Sequence, residues 1–246
     1  MAIITTQSIP PTWRKPAITI PRSESIQRSA AAIDVYRATI PAPGESESNT
    51  LHSIAQMCIE MADFDLLTNQ EKYKQVLKSY IPATERTRPG FAFKIVRGGI
   101  NFGNAAARAY EAYKDEDFLD YAVKAWNSGR NYTLGRVGLH RWQEGHLSSM
   151  DLMTLGWYSW ATGINDIVVG GSSNSQWHNS GGILMTAATD VSGIYVPRGL
   201  LQTYNTTSDP TVRNYISAYL STQYNAVIDL ASGPGDTYAL SWTGPA

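Results

Sequence analysis

The sequence predicts a mainly α-helical protein, and three observations carry that prediction. Apolar residues recur three and four positions apart over several segments, which is the period of an amphipathic helix. Residues that cap or stop helices stand at the ends of those segments. Neither a strand meander nor the strand-helix-strand unit of a parallel sheet can be found along the chain.

Each element follows in order. Residues 1–23 are rich in Pro and Thr without a helical period, so they read as an extended arm in which Trp13 is the one candidate anchor. From Ser23 to Ala38, Ile26, Ala30, Ile33 and Tyr36 predict the first helix. A Pro- and Gly-containing loop follows, and Leu51, Ile54, Ala55, Cys58, Ile59, Ala62 and Leu66 then predict a second helix. Thr68 and Asn69 are expected to cap a third, carrying Tyr73, Val76, Leu77 and Tyr80 and stopped by Pro82. After the turn Arg88-Pro89-Gly90, the run Ala105 to Tyr113 reads as a small-residue helix whose alanines let neighbours approach. Asp115 caps the next helix, in which Glu116 and Asp117 place negative charge at the positive end of the dipole. Phe118, Ala122 and Trp126 are its expected buried stripe.

Helices 51–67, 102–113 and 116–130 are therefore expected to pack antiparallel, with Ala105 to Ala109 at the closest contact. Residues 134–182 change to Gly, Ser, Trp and His with no sustained period and are expected to be irregular. Order returns at Asp209-Pro210, a cap followed by proline at the first helical position, with Val212, Tyr215, Ile216, Tyr219, Leu220, Gln223 and Val227 along one face. Residues 24–246 thus read as a single helical domain. Antiparallel pairs of this kind build either a bundle or a ring of hairpins, and the pattern leaves both open.

Composition excludes several classes. Twenty basic against 21 acidic residues give a net charge of -1, so electrostatic capture of nucleic acid or anionic lipid is not expected. No stretch is long and apolar enough to span a membrane. The first residues lack the basic and apolar regions of a secretory signal, while two sequons, at Asn131 and Asn205, matter only in the secretory route. One cysteine, Cys58, forbids an intramolecular disulfide and a cysteine-based zinc cage; its place on the apolar face of the second helix reads as core. His140, Glu144 and His146 lack metal-ligand spacing, so no metal is expected. Gly98, Gly99 and Gly103 have no preceding strand and no following Lys-Ser or Lys-Thr, so no nucleotide cofactor is expected either. Asp63 and Asp65 are two apart on a helix and point about 200° from each other, too divergent to flank one bond. Asp115, Glu116, Asp117 and Asp120 read as a cap and first turn, and Asp166 and Asp190 have no identifiable carboxylate partner.

Several segments carry a resemblance: Met61 to Gln70, Ala105 to Tyr110, Phe118 to Val123 with Ala125-Trp126-Asn127, Val196 to Leu200, Gln223 to Val227 and the closing Trp242-Thr243-Gly244-Pro245. They resemble fungal proteins of glycoside hydrolase family 76, the α-1,6-mannanase family, over residues 24–134 and 175–246. The resemblance implies an (α/α)6 toroid of six helical hairpins, an extracellular location, and hydrolysis of α-mannan or a related cell-wall glycan. Members use two adjacent aspartates, as retaining hydrolysis requires two carboxylates at the scissile bond. This chain has no Asp-Asp pair, and the helices missing from a complete ring belong between Thr133 and Gln176. Arg141 to His146 fits nothing in the family; with suitable codons the same nucleotides read two bases along spell Val-Ala-Gly-Gly-Thr, resembling the segment before the aspartates. A shifted reading frame or a misread intron is the expectation there, and an unbroken message encoding Leu134 to Gly182 in this frame would exclude it.

The expected fold is thus an incomplete (α/α)6 toroid, catalytically impaired, with no catalytic residue to assign. Sugars stack on aromatic rings in pockets that add a few polar groups. Trp126, Tyr132, Trp177 and Trp242 are the candidates for binding a polysaccharide or oligosaccharide. The rival readings are a non-catalytic glycan-binding helical protein and a defective gene product. In either, the gap in the ring is expected to leave the faces carrying Trp126 and Ile216 without a partner.

Overall fold

The computed structural model describes residues 8–43, 51–93, 96–134, 177–185 and 195–244. Among them most are helical and none forms a strand, two isolated antiparallel bridges aside. The helices are α1 (Arg22–Ala38), α2 (Leu51–Thr68), α3 (Lys74–Thr87), α4 (Val96–Tyr113), α5 (Glu116–Leu134), α6 (Tyr195–Thr206) and α7 (Pro210–Ala226). The chain divides into two compact units, residues 22–142 and residues 1–21 with 143–246. The chain changes unit after Pro21, and the arm groups with the C-terminal helices. The irregular segment 134–182 lies outside the described residues except at its two ends.

In the unit 22–142, α2 is the centre. Ile54, Met57, Cys58, Met61, Ala62 and Phe64 are all buried, facing several directions around the helix axis, as suits a helix surrounded by others. Burying each of the larger side chains is worth about 2 kcal/mol. The most extensive packing is of α4 against α5 and of α2 against α4. Lys114 and Asp115 join α4 to α5, so these two are antiparallel, as expected. Their backbones approach closely at Gly103, where an added Cβ would stand 2.8 Å from that of Ala125. Ala105, Ala106 and Ala109 are fully buried.

One expectation is corrected. Helices α2 and α4 run parallel: near their C-terminal ends Asp63 meets Arg108 and Asp65 meets Tyr113, so the pairing advances along both helices together. The reason is the return helix α3 between them, which restores the chain direction before α4 begins. Successive hairpins therefore set their first helices side by side.

Pro82 does not stop α3, which continues to Thr87. The lost backbone bond and ring clash cost about 3 kcal/mol. Leu77, Tyr80 and Ile81 before the proline and Ala83 and Thr84 after it are all buried, and this anchoring outweighs that cost. Asn69 does not cap α3 either; it ends α2 in a left-handed conformation, φ 54°, and the donor at the start of α3 finds Asp65 instead.

In the other unit, Asp209 caps α7 as expected, its side chain accepting from the backbone N–H of Thr211 and Val212. Val212, Tyr215, Ile216 and Tyr219 are buried, with Trp13 packed against them. Ile216, expected to be left without a partner, is fully buried; the arm supplies part of the cover that the reading lacked.

Candidate functional site

The aromatic candidates fare differently. Trp126 is 72% exposed, which overturns its place in the buried stripe of α5. Helical geometry gives the reason: each residue turns by about 100°, so the series 118, 122, 126 drifts about 80° around the axis, whereas Ala125, seven residues from Phe118, returns to its face. Ala125 is buried accordingly. Trp177 is 45% exposed and Trp242 is partly buried, both in the unit that holds the C-terminal helices. Tyr132 lies in the last turn of α5, and its side chain falls outside the described residues, as does that of Asn131. Asn205 is exposed at the end of α6. His140, Glu144, His146, Asp166 and Asp190 also lie outside the described residues.

Beside Trp126 the unit 22–142 carries an open cavity of about 210 Å³, lined by Phe91, Phe93, Ile100, Ala125, Ser128 and Gly129 among others. Trp126 follows Ala125 in α5 and stands three residues before Gly129, so it is a helical neighbour of the lining. The aromatic wall is held firmly: Phe91 and Phe93 both stack on buried Phe102, each at 5.9 Å between ring centres. Phe91 is itself fixed at φ 55° by the turn at Arg88 to Phe91. Phe91 is buried at 1% and packs on Phe102 and Tyr121, so the cavity offers the partly buried Phe93, Ile100 and the Ser128 hydroxyl, and Trp126 stands outside the lining.

The carboxylates are engaged elsewhere. Asp65 is 1% exposed and accepts, through Oδ2, the backbone N–H of Tyr73 and the hydroxyl of Tyr113, each at 2.7 Å. One carboxylate thus ties α2, the start of α3 and the end of α4. Its Oδ1 has no hydrogen-bond partner among the described residues. Burial pushes the Tyr113 phenol well up, and donating to Asp65 raises it further. Asp63 is held by Arg108, which also grips Glu111. Burial raises the Asp63 carboxyl above its usual value, against the opposing pull of Arg108. Asp115 caps α5 through the N–H of Asp117 and binds Lys78 of α3 at 2.6 Å, which draws its pKa down. These contacts fit the structural reading of the acidic residues, and the Lys78, Arg108 and Tyr113 partners are what the sequence did not disclose.

Cys58 is fully buried, and desolvation pushes its thiol up to about 12, so it stays protonated. Among the described residues no group of His, Cys, Asp or Glu could hold a metal, and no helix is long and apolar enough to cross a membrane. In the second unit a buried polar set emerges that the sequence reading missed: His178 Nε2 lies 2.7 Å from the Tyr219 hydroxyl, and Gln223 bridges the backbone of Gly182 and Leu184. A glutamine and a histidine carry no such signal by spacing, because their partners are about 40 residues away.

The chain matches no family model, no curated protein and no solved structure.

Proposed function

We propose that this protein is a glycan-binding member of the six-hairpin lineage of glycoside hydrolase family 76, retaining recognition of α-mannan or a related cell-wall polysaccharide without hydrolysing it. The observation that supports the reading is the exposed Trp126, one residue along α5 from Ala125 of a cavity that Phe93, Ile100 and Ser128 also line. The parallel run of α2 and α4, with α3 and α5 as return helices, supports an arc of hairpins, as part of the (α/α)6 toroid implied by the resemblance would have. Binding is favoured over turnover because the chain has no Asp-Asp pair to supply the two carboxylates that retaining hydrolysis requires. An extracellular setting belongs to the same proposal, with the exposed Asn205 as a position where N-linked sugar would be tolerated.

The test is to incubate the purified chain with α-1,6-mannan while recording both sugar release and binding. Binding without release is expected, and Trp126→Ala should weaken it about tenfold or more, the usual loss for an aromatic anchor, at unchanged melting temperature. Sugar release by the wild-type chain would restore the hydrolase reading; neither release nor binding would remove both.

A further inference from the structure

The N-terminal arm is bound to its unit in the manner of a peptide in a groove. Trp13 is 7% exposed, with its ring 5.0 Å from that of Tyr215 and 5.6 Å from that of Tyr219. The indole passes so close to Gly182 that a Cβ there would lie 2.3 Å from Trp13 Cδ1, so the groove is shaped for this ring and needs glycine at that point, where φ is 74°. The next two residues bring charge: Arg14 Nη2 and Lys15 Nζ both donate to Asp229 Oδ2, at 2.7 and 2.6 Å. The backbone is read as well. Arg14 N–H donates to the Gly181 carbonyl at 2.9 Å, and Asn225 Nδ2 donates to the carbonyls of Lys15 and Ala17. An aromatic anchor, paired cations and carbonyls read by one amide are parts by which a protein selects a peptide segment, here one turned at Pro10 to Trp13 and left-handed at Lys15, φ 44°.

All of these contacts join residues 13–17 to residues 181–229, across more than 160 positions of chain. They rely on the arm's side chains and backbone, not on its covalent path. Ile18 and Thr19, which follow the last of these contacts, are exposed, and from Arg22 the chain belongs to the other unit. Such an element can be exchanged between identical copies at little cost, because the swapped and unswapped forms make the same contacts. We propose that this groove is an exchangeable docking site for the Trp13-Arg14-Lys15 arm, and that its intermolecular occupant is the arm of a second copy of this chain.

Cβ of Arg14 lies 3.7 Å from where a Cβ on Gly181 would stand, a separation suited to a disulfide. The experiment mixes two differently tagged full-length chains, one Arg14→Cys and the other Gly181→Cys, under mild oxidation; Cys58 is buried and protonated and stays silent. A covalent heterodimer is expected. Adding Trp13→Ala to the Arg14→Cys chain should reduce its yield about tenfold, as should an excess of a synthetic peptide of residues 8–18. The double variant carrying both cysteines in one chain should close on itself when dilute, which confirms that the arm is seated and the fold intact. Closure in the double variant with no heterodimer in the mixture overturns the exchange. A double variant that does not close, or a heterodimer indifferent to Trp13→Ala, overturns the groove itself.

Discussion

A single buried carboxylate shows how much one residue can hold. Asp65 serves two donors from two other helices, and removing it leaves a backbone N–H and a phenol unsatisfied in a dry interior. Asp65→Ala should therefore cost about 3 kcal/mol, read as a fall in the urea midpoint at unchanged slope. Tyr113→Phe leaves the Tyr73 N–H bonded and should cost less; equal losses for the two variants would show that the shared acceptor is not what matters. A second residue gives a pH dependence. Lys15 and Arg14 draw the Asp229 pKa below its ordinary value in the folded state. The sign follows from linkage: the folded state binds the proton less readily than the unfolded one, so the contribution is present above the unfolded pKa of about 4 and is lost as pH falls through the lower folded value. The pair is largely solvated, so the effect should stay below about 1 kcal/mol. Asp229→Asn should flatten the acid side of the melting profile at low salt, and high salt should erase the difference between the two proteins.

Elements show what a sequence can disclose and what it cannot. Helix α2 was legible because its apolar residues keep the helical period for four turns, and α7 because Asp209 and Pro210 mark its start chemically. The N-terminal half of α4 was not, since Gly98, Gly99 and Gly103 argue against a helix by propensity; close packing decided otherwise, with Gly103 set against Ala125. Pro197 and Gly199 hid α6 in the same way, although proline in a first turn gives up a backbone donor that has no helical partner there. The exposed indole of the candidate site was misjudged through helical drift, and the Asp65 and His178 contacts join positions that no local pattern connects. What was legible in α4 gives its own prediction. Ala109 is fully buried in the core shared by α2, α4 and α5, so Ala109→Leu should overpack it and cost about 1 to 3 kcal/mol. The same change at Ala107, which faces outward, should cost almost nothing. Similar melting temperatures for the two variants would contradict the packing described.

At the scale of the whole molecule, the two units have separate cores. The larger cluster draws on residues between Leu51 and Ala125, the smaller on Trp13 and residues between Leu200 and Tyr219. The arm contributes the largest side chain of the second cluster from the far end of the sequence, so that core is closed by a segment that precedes the whole first unit. Trp13→Ala removes a buried indole and should cost about 3 to 5 kcal/mol. Local stability varies across a structure, and amide exchange reads it segment by segment. In this variant the amides of α7 around Ile216 should lose protection, because Tyr215 and Tyr219 lose their ring partner. The amides of α2 from Ile54 to Ala62 should keep theirs, because their cluster contains no residue of the arm. Equal loss of protection in both helices would mean that the two cores unfold as one and that the arm stabilises the entire chain; unchanged protection in α7 would mean that Trp13 does not close its core.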